Sequence, residues 1–327
     1  MTKAMGRPGL LLAALSVSTA WPGPARAQVP GSPDSAQIVT ADIARFWQAF
    51  DQRDALGAEE AFDRLYLGLG SPGLLDFVPN HIRSAEALAE TVAEYEPFYR
   101  SIRARTLGVL DLVGDIHADL ATLERLYPES VFPPVYFVIG RLNSGGDATE
   151  AGLIIGIELF ATSTDTPFDV LEPGMRSVLE SLSVADLPHV VVHELVHFQQ
   201  GEPEMADRTL LGQALYEGVA DFVSDLATGG LAETNERTRR WGDEHEREVW
   251  REFRRVMTGR DFSRWLYNQG RATPDWPSDV GYYVGFKIAE AYYERAEDPH
   301  QALSEMLHIE DPRDFLARSG YGEDLQR

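Results

Sequence analysis

The chain has 327 residues, of which 44% are hydrophobic, and its formal net charge is −23. This length and apolar content are enough for a large core in one or two domains, while the negative charge argues against binding to nucleic acid or to anionic membrane surfaces. The chain has no cysteine, which excludes disulfides and the thiolate sites of structural zinc, so any zinc must be held by histidine and carboxylate.

The first 27 residues are predicted to be a secretory signal peptide. A positively charged start precedes an apolar segment at residues 10–20, which is too short to span a bilayer, and residues 25–27 form a small-x-small cleavage site. Cleavage after Ala27 would export the protein to the periplasm or the exterior without stable insertion into the membrane. Residues 28–36 are rich in proline, glycine and serine, which predicts a flexible leader.

Residues 37–130 are predicted to form an N-terminal helical region. Apolar and aromatic residues recur there at helical spacing, which is typical of a packed core rather than of a ligand cage. We interpret this region as a scaffold. Helices are predicted from residue 37 onwards and at about residues 58–69, 84–106 and 115–127.

Residues 131–327 are predicted to form a second unit that begins with a small sheet. Two β-branched and aromatic segments, residues 135–140 and 153–160, are predicted strands, and residues 143–147 are a predicted turn-rich loop. Glu158 falls in the second strand. It could bind a substrate amine, as in an aminopeptidase, or it could be an ordinary solvent-side strand residue.

The segment His193-Glu194-Leu195-Val196-His197 matches the pattern H-E-x-x-H. On a helix, both imidazoles lie on one face one turn apart, so both can reach one metal ion. Glu194 is placed to take a proton from a water that the metal activates. The surrounding residues are apolar nearly all round, which predicts a buried helix whose polar groups are paired or bound to metal.

A second amphipathic helix is predicted at residues 210–222. Glu217 follows His197 with nineteen residues between them, so two antiparallel helices with a short loop would bring it back over both histidines. A carboxylate is a normal third protein ligand of catalytic zinc. Asp221 lies one turn later on the same face, where it could accept the second N–H of a ligating histidine.

The C-terminal part contains three further informative segments. Residues 233–257 are predicted to form a long charged helix with a solvated face. Residues 259–279 are irregular and could be either a mobile lid or a loosely packed segment. Tyr282 and Tyr283 begin another helix, and the hydroxyl of either one could stabilise an oxyanion near a metal, or both could be core residues.

The pattern His193-Glu194-x-x-His197 with Glu217-x-x-x-Asp221 resembles the gluzincin metallopeptidases, in which thermolysin-like enzymes have the same spacing. The extension to Gln200 is similar to a bacterial group of predicted zinc-dependent proteases related to a gliding-motility lipoprotein. The resemblance covers roughly residues 150–295. This chain departs from it because it has no cysteine that could carry a lipid.

The resemblance implies one Zn²⁺ ion and hydrolysis of peptide bonds. It assigns His193, His197 and Glu217 to the metal, Glu194 to catalysis, and Asp221 to the support of a ligating histidine. It also implies that a substrate backbone pairs with an edge strand of the sheet, which we expect to be the second predicted strand.

The sequence therefore predicts a predominantly helical α+β protein with a zincin-like catalytic subdomain, a small sheet and an H-E-x-x-H helix. The predicted function is that of an exported zinc metallopeptidase acting on a peptide or protein substrate. Two alternatives remain open: an inactive zincin-fold binding or scaffolding module of the cell envelope, and a zinc hydrolase for a non-peptide amide or ester. The substrate, endo- or exo-cleavage, the oligomeric state and a blocking pro-segment also remain open.

Overall fold

A computed structural model describes residues 32–33, 36–200, 209–230, 233–268, 271–273 and 275–326. The predicted signal peptide, and the predicted leader except for residues 32, 33 and 36, lie outside the described residues. Helices predominate and accompany one small sheet, so the predicted α+β class is confirmed. No helix in the described ranges is long and apolar enough to cross a bilayer.

The N-terminal region is mainly helical, as predicted, but Ile38–Val39 is a strand and helix begins only at Ala41. The longest predicted helix is two helices that meet at Tyr95. The break occurs because Pro97, in the first turn of the second helix, has no N–H and its ring clashes with the carbonyl four residues earlier. The second predicted helix also ends early, at Leu65, before a 3-10 turn. The helices are α1 (Ala41–Leu56), α2 (Ala58–Leu65), α3 (Pro72–Phe77), α4 (Ala85–Glu94), α5 (Glu96–Leu107) and α6 (Val113–Leu126).

Two buried tyrosines attach these helices to the sheet. The hydroxyl of Tyr66 donates to the carbonyl of Ile139 and accepts from its N–H, at 2.7 and 2.9 Å. The hydroxyl of Tyr99 donates to the carbonyl of Gly140 at 2.8 Å. One hydrophobic core contains residues from both sides of position 130. The N-terminal region therefore packs as a support for the sheet.

The sheet has the order β1-β2-β4-β3, with strands β1 (Ile38–Val39), β2 (Val135–Val138), β3 (Gly146–Thr149) and β4 (Gly152–Gly156). β1 and β4 are parallel to β2, and β3 is antiparallel to β4. The predicted second strand is therefore β4, an interior strand, and the expectation that it forms the edge is wrong. An edge strand, β3, begins inside the predicted loop at Gly146, because a tight turn at Gly152, with φ of +139°, folds β4 back onto β3.

Glu158 lies in a 3-10 turn, Ile157–Leu159, rather than in a strand. Its exposed fraction is 0%, so it is neither a solvent-side residue nor open to a substrate amine. Its carboxylate accepts from the backbone N–H groups of Gly140 and Leu142. Burial raises the pKa of Glu158 from its ordinary value of 4.5 to about 7. Glu158 thus joins the end of β2 to the turn after β4.

Seven helices follow the sheet in the described chain, and the contact between two of them is unusually close. Gly218 and Gly285 meet where a Cβ atom on Gly285 would lie 1.7 Å from the carbonyl oxygen of Ala214. Only residues without a side chain allow this approach. The seven helices are α7 (Pro173–Leu179), α8 (Leu187–Gln200), α9 (Leu210–Thr228), α10 (Glu233–Val256), α11 (Val280–Arg295), α12 (Pro299–Leu307) and α13 (Pro312–Ser319).

We expect Glu158→Gln to remove part of the pH dependence of stability. The raised pKa means that the folded protein binds the proton more tightly than the unfolded chain, so wild type loses about 3 kcal/mol from this group as the pH rises from 4.5 to above 7. Urea unfolding at pH 5 and pH 8 measures this change. Between pH 5 and pH 8, the free energy of unfolding of wild type should fall by more than that of the variant. Equal falls in the two proteins would contradict the raised pKa of Glu158.

We expect Gly285→Ala to destabilise the protein by at least about 2 kcal/mol, because the new methyl group must push α11 away from α9. Gly114→Ala is the matched control, since a Cβ atom at this position in α6 meets nothing within 4 Å. That control should be neutral or stabilising by up to about 1 kcal/mol. Equal effects of the two substitutions on the thermal midpoint would refute the close helix contact.

Candidate metal centre

The H-E-x-x-H segment lies on α8, and Glu217 lies on α9, which packs against it. The Nε2 atoms of His193 and His197 are 3.0 Å apart. Oε2 of Glu217 lies 3.2 Å from Nε2 of His197 and 3.6 Å from Nε2 of His193. All three side chains are buried. The structure thus brings the three residues that the sequence assigned to a metal to one point.

The second nitrogen of each histidine is already engaged. Nδ1 of His193 lies 2.8 Å from Oδ1 of Asp221. Nδ1 of His197 lies 2.7 Å from Oε1 of Gln200, whose amide nitrogen donates to the carbonyl of Tyr216 and so fixes the amide orientation. Because carboxylate and amide oxygens only accept, each Nδ1 carries the proton.

A neutral imidazole with its proton on Nδ1 presents a bare lone pair at Nε2. With both imidazoles neutral, two such lone pairs point at each other and at the carboxylate of Glu217. Three acceptor atoms at these distances need a positive charge to hold them together. The charge is supplied either by a metal ion or by protonation of a histidine.

The same contacts determine the pKa values of His193 and Glu217. Burial lowers the pKa of His193, but its hydrogen bonds to Asp221 and Glu217 outweigh burial and hold it well above its ordinary value. Burial raises the pKa of Glu217, but the neighbouring His197 and His193 outweigh burial and hold it well below its ordinary value. The carboxylate is therefore ionised, and a proton on His193 can supply the positive charge that a metal ion would otherwise provide.

These residues fit a zinc ion. Two imidazoles and one carboxylate are a usual protein ligand set of catalytic zinc, and both histidines have the second hydrogen bond that such ligands need. A second trio of possible ligand atoms, on His189, His193 and Asp221, overlaps the first. The 2.8 Å separation of Asp221 from Nδ1 of His193 is that of a hydrogen bond, so this trio fits a supporting role.

Glu194 is buried beside the three residues, with an exposed fraction of 3%. Its Oε1 atom has no hydrogen-bond partner among the described residues. Burial raises the pKa of Glu194, and the two adjacent histidines oppose this effect. A buried carboxylate with one oxygen free of hydrogen bonds and a raised pKa can accept and return a proton.

The two candidate tyrosines point in different directions. The ring of Tyr282 lies nearly parallel to that of His193, with centroids 6.4 Å apart. The hydroxyl of Tyr283 donates instead to Asp243 on α10, at 3.2 Å, and its ring packs against Gly242. Of the pair, Tyr282 is the one that lies against the centre.

Several residues around the centre were missed from the sequence. Asn235 donates to Oδ1 of Asp221 at 2.9 Å, and Nε2 of His189 lies 4.0 Å from the same oxygen. Tyr267 and Gln213 both donate to Oε1 of Glu217. His189 precedes His193 by four positions, so the helical period that joins His193 to His197 could have found it. Tyr267 lies in the irregular segment, where no periodic pattern points to it.

The fold and this centre define a class: a mainly helical α+β protein with a buried His-His-Glu arrangement and an adjacent carboxylate. Residues 32–323 match the family of the gliding motility protein GldB, and the chain belongs to that family. The predicted relation to a gliding-motility protein is therefore confirmed. Comparison with curated proteins and with solved structures finds no match.

Proposed function

We propose that this protein is an exported, zinc-dependent metallopeptidase of the gluzincin type. The observation that carries the proposal is the convergence of three ligand atoms, Nε2 of His193, Nε2 of His197 and one oxygen of Glu217, beside an oxygen of Glu194 that has no hydrogen-bond partner among the described residues. The first three atoms can hold a cation, and the oxygen of Glu194 can accept a proton.

When bound, Zn²⁺ supplies Lewis-acid chemistry, which polarises a carbonyl and increases the acidity of water. Asp221 and Gln200 keep the protons of His193 and His197 on Nδ1, so both Nε2 lone pairs face the ion. Glu194 takes a proton from the attacking water and returns it to the leaving amine. Tyr282 donates its hydroxyl to the oxyanion that develops on the substrate.

The location of the site suggests how an extended substrate binds. β1 and β3 are the two edge strands of the sheet among the described strands. A peptide backbone can add to such an edge as an extra strand. We therefore propose β3, Gly146–Thr149, for the role that the resemblance gave to the second predicted strand.

The family description and the predicted signal peptide together support a cell-envelope location, with envelope or external proteins as substrates. The sequence contains no cysteine to which a lipid could be attached. The same family description, which names motility and not hydrolysis, favours one competing function, that of an inactive envelope scaffold. Glu194 distinguishes the two, because a scaffold has no use for a general base.

We expect purified mature protein to contain about one zinc ion per chain, and His193→Ala or Glu217→Ala to lose it, because each removes one of three ligands. His308→Ala is the control, since His308 is exposed and bonds only within its own helix, to the carbonyl of Ser304. Metal analysis after dialysis against zinc measures the content. Wild type that takes up no zinc would overturn the proposal and leave the scaffold in its place.

We expect Glu194→Gln to keep zinc and to lower peptide hydrolysis by at least about 100-fold, because the amide cannot accept the proton. The exposed Glu59→Gln is the control and should hydrolyse at the wild-type rate. Peptide libraries, esters and non-peptide amides should be assayed side by side. Turnover of the non-peptide substrates alone would refute the peptidase, and zinc binding without any turnover would favour the scaffold.

A further inference from the structure

The two oxygens of the Glu217 carboxylate have different neighbours. Oε2 faces both histidines, at 3.2 and 3.6 Å. Oε1 accepts from the amide of Gln213 at 3.1 Å and from the hydroxyl of Tyr267. A carboxylate whose two oxygens are both free can chelate a metal, but here two donors occupy one oxygen. Only Oε2 therefore remains for the cation.

Tyr267 comes from the irregular segment between α10 and α11, from which no metal ligand was predicted. Its backbone has a φ of +56°, a conformation that is rare and costly for a bulky residue. Asp279, at the start of α11, has a φ of +59°. Such conformations persist only where the surrounding structure enforces them.

The enforcing contacts lie on both sides of Tyr267. The N–H of Asp279 donates to the side chain of Asn268 at 2.8 Å, and the N–H of Asn268 donates back to the carboxylate of Asp279 at 3.3 Å. The N–H of Gly281 donates to the carbonyl of Trp265 at 2.7 Å. Residues 265–268 are thus fastened to the first turn of α11. We call these four residues the tyrosine strap.

The strap holds the strained backbone of Tyr267 in place. The hydroxyl of Tyr267 donates to Glu217, and its ring meets that of Tyr282 edge-on, with centroids 6.3 Å apart. The sequence left open whether this irregular segment is a mobile lid or is loosely packed. Neither interpretation describes residues 265–268 and 279–281, which hydrogen bonds fasten to each other. The strained backbone aims one hydroxyl at the outer oxygen of Glu217.

We propose that Tyr267 is a positioning residue that restricts Glu217 to one metal-facing oxygen, with Gln213 as the second donor. The inference rests on the proposed zinc site and goes beyond it, because it assigns a role to a residue outside the H-E-x-x-H and Glu217 pattern. With Glu217 bound through one oxygen, a coordination position stays open for substrate and water. Without the strap, Oε1 turns inward and occupies that position.

The test uses mature protein loaded with Co²⁺, whose visible absorption is intense in four-coordinate sites and weak when more ligands bind. Tyr267→Phe keeps the ring and removes the hydroxyl, so we expect weaker cobalt absorption and, by X-ray absorption of the zinc form, about one additional oxygen neighbour near 2.0–2.2 Å. The zinc affinity of Tyr267→Phe should be about 10-fold lower than that of wild type, because Glu217 loses a hydrogen bond that orients it. Tyr293→Phe is the control, since Tyr293 packs on Phe222 and should leave the spectrum unchanged.

Tyr267→Gly is the second variant, because glycine adopts a positive φ without strain and this variant should fold even if Tyr267→Phe does not. It should change the cobalt spectrum in the same direction. A wild-type spectrum in either folded variant would overturn the role of Tyr267 and leave the zinc site standing. Wild type that binds neither Co²⁺ nor Zn²⁺ would overturn both this inference and the proposed function.

Discussion

Two hydrogen bonds decide the chemical state of the centre: His193 to Asp221, and His197 to Gln200. Both acceptors are oxygens, so each Nδ1 carries a proton and each Nε2 atom turns toward Glu217. If either acceptor were replaced by a donor, that ring would turn its proton inward and the site would lose its affinity for a cation. Metal binding at this centre thus depends on Asp221 and Gln200 as much as on the three converging residues.

Other parts of the molecule hold the residues of the centre in position. The contact of Gly218 with Gly285 sets the distance between α9 and α11, and so places Glu217 and Tyr282 around the same histidine. Asn235, from α10, holds Asp221 from the far side. The N-terminal helices act at a greater distance, because Tyr66 and Tyr99 bind the backbone at the end of β2 and fasten the sheet beside α8.

Membership of a family described by gliding motility is compatible with a centre whose residues fit a metal ion. A protein that works in the cell envelope can act there by cutting another protein or by holding it. The two roles differ in what they need from Glu194. Buried Glu158 also has a raised pKa and an unbonded oxygen, so these properties alone do not separate the roles. The physical argument for chemistry is the position of Glu194 beside the three converging residues.

The sequence predicted those parts of the centre whose geometry is local. His193, Glu194 and His197 are related by the helical repeat, and Asp221 is related to Glu217 by the same repeat, so these spacings specify shared faces before any packing is known. The return of Glu217 to the histidines needed one further assumption, an antiparallel helix pair. The predominance of helix and the presence of a small sheet also followed from local patterns.

Tertiary structure alone decided the strand order, the burial of Glu158 and the partners of Glu217. Strand pairing and burial are set by contacts between distant segments, and periodicity carries no information about which strand lies at an edge. Tyr267 is fifty positions from Glu217 and reaches it through a strained backbone that residues 279–281 hold in place. A local pattern reports which face a residue occupies; only the folded chain determines what that face meets.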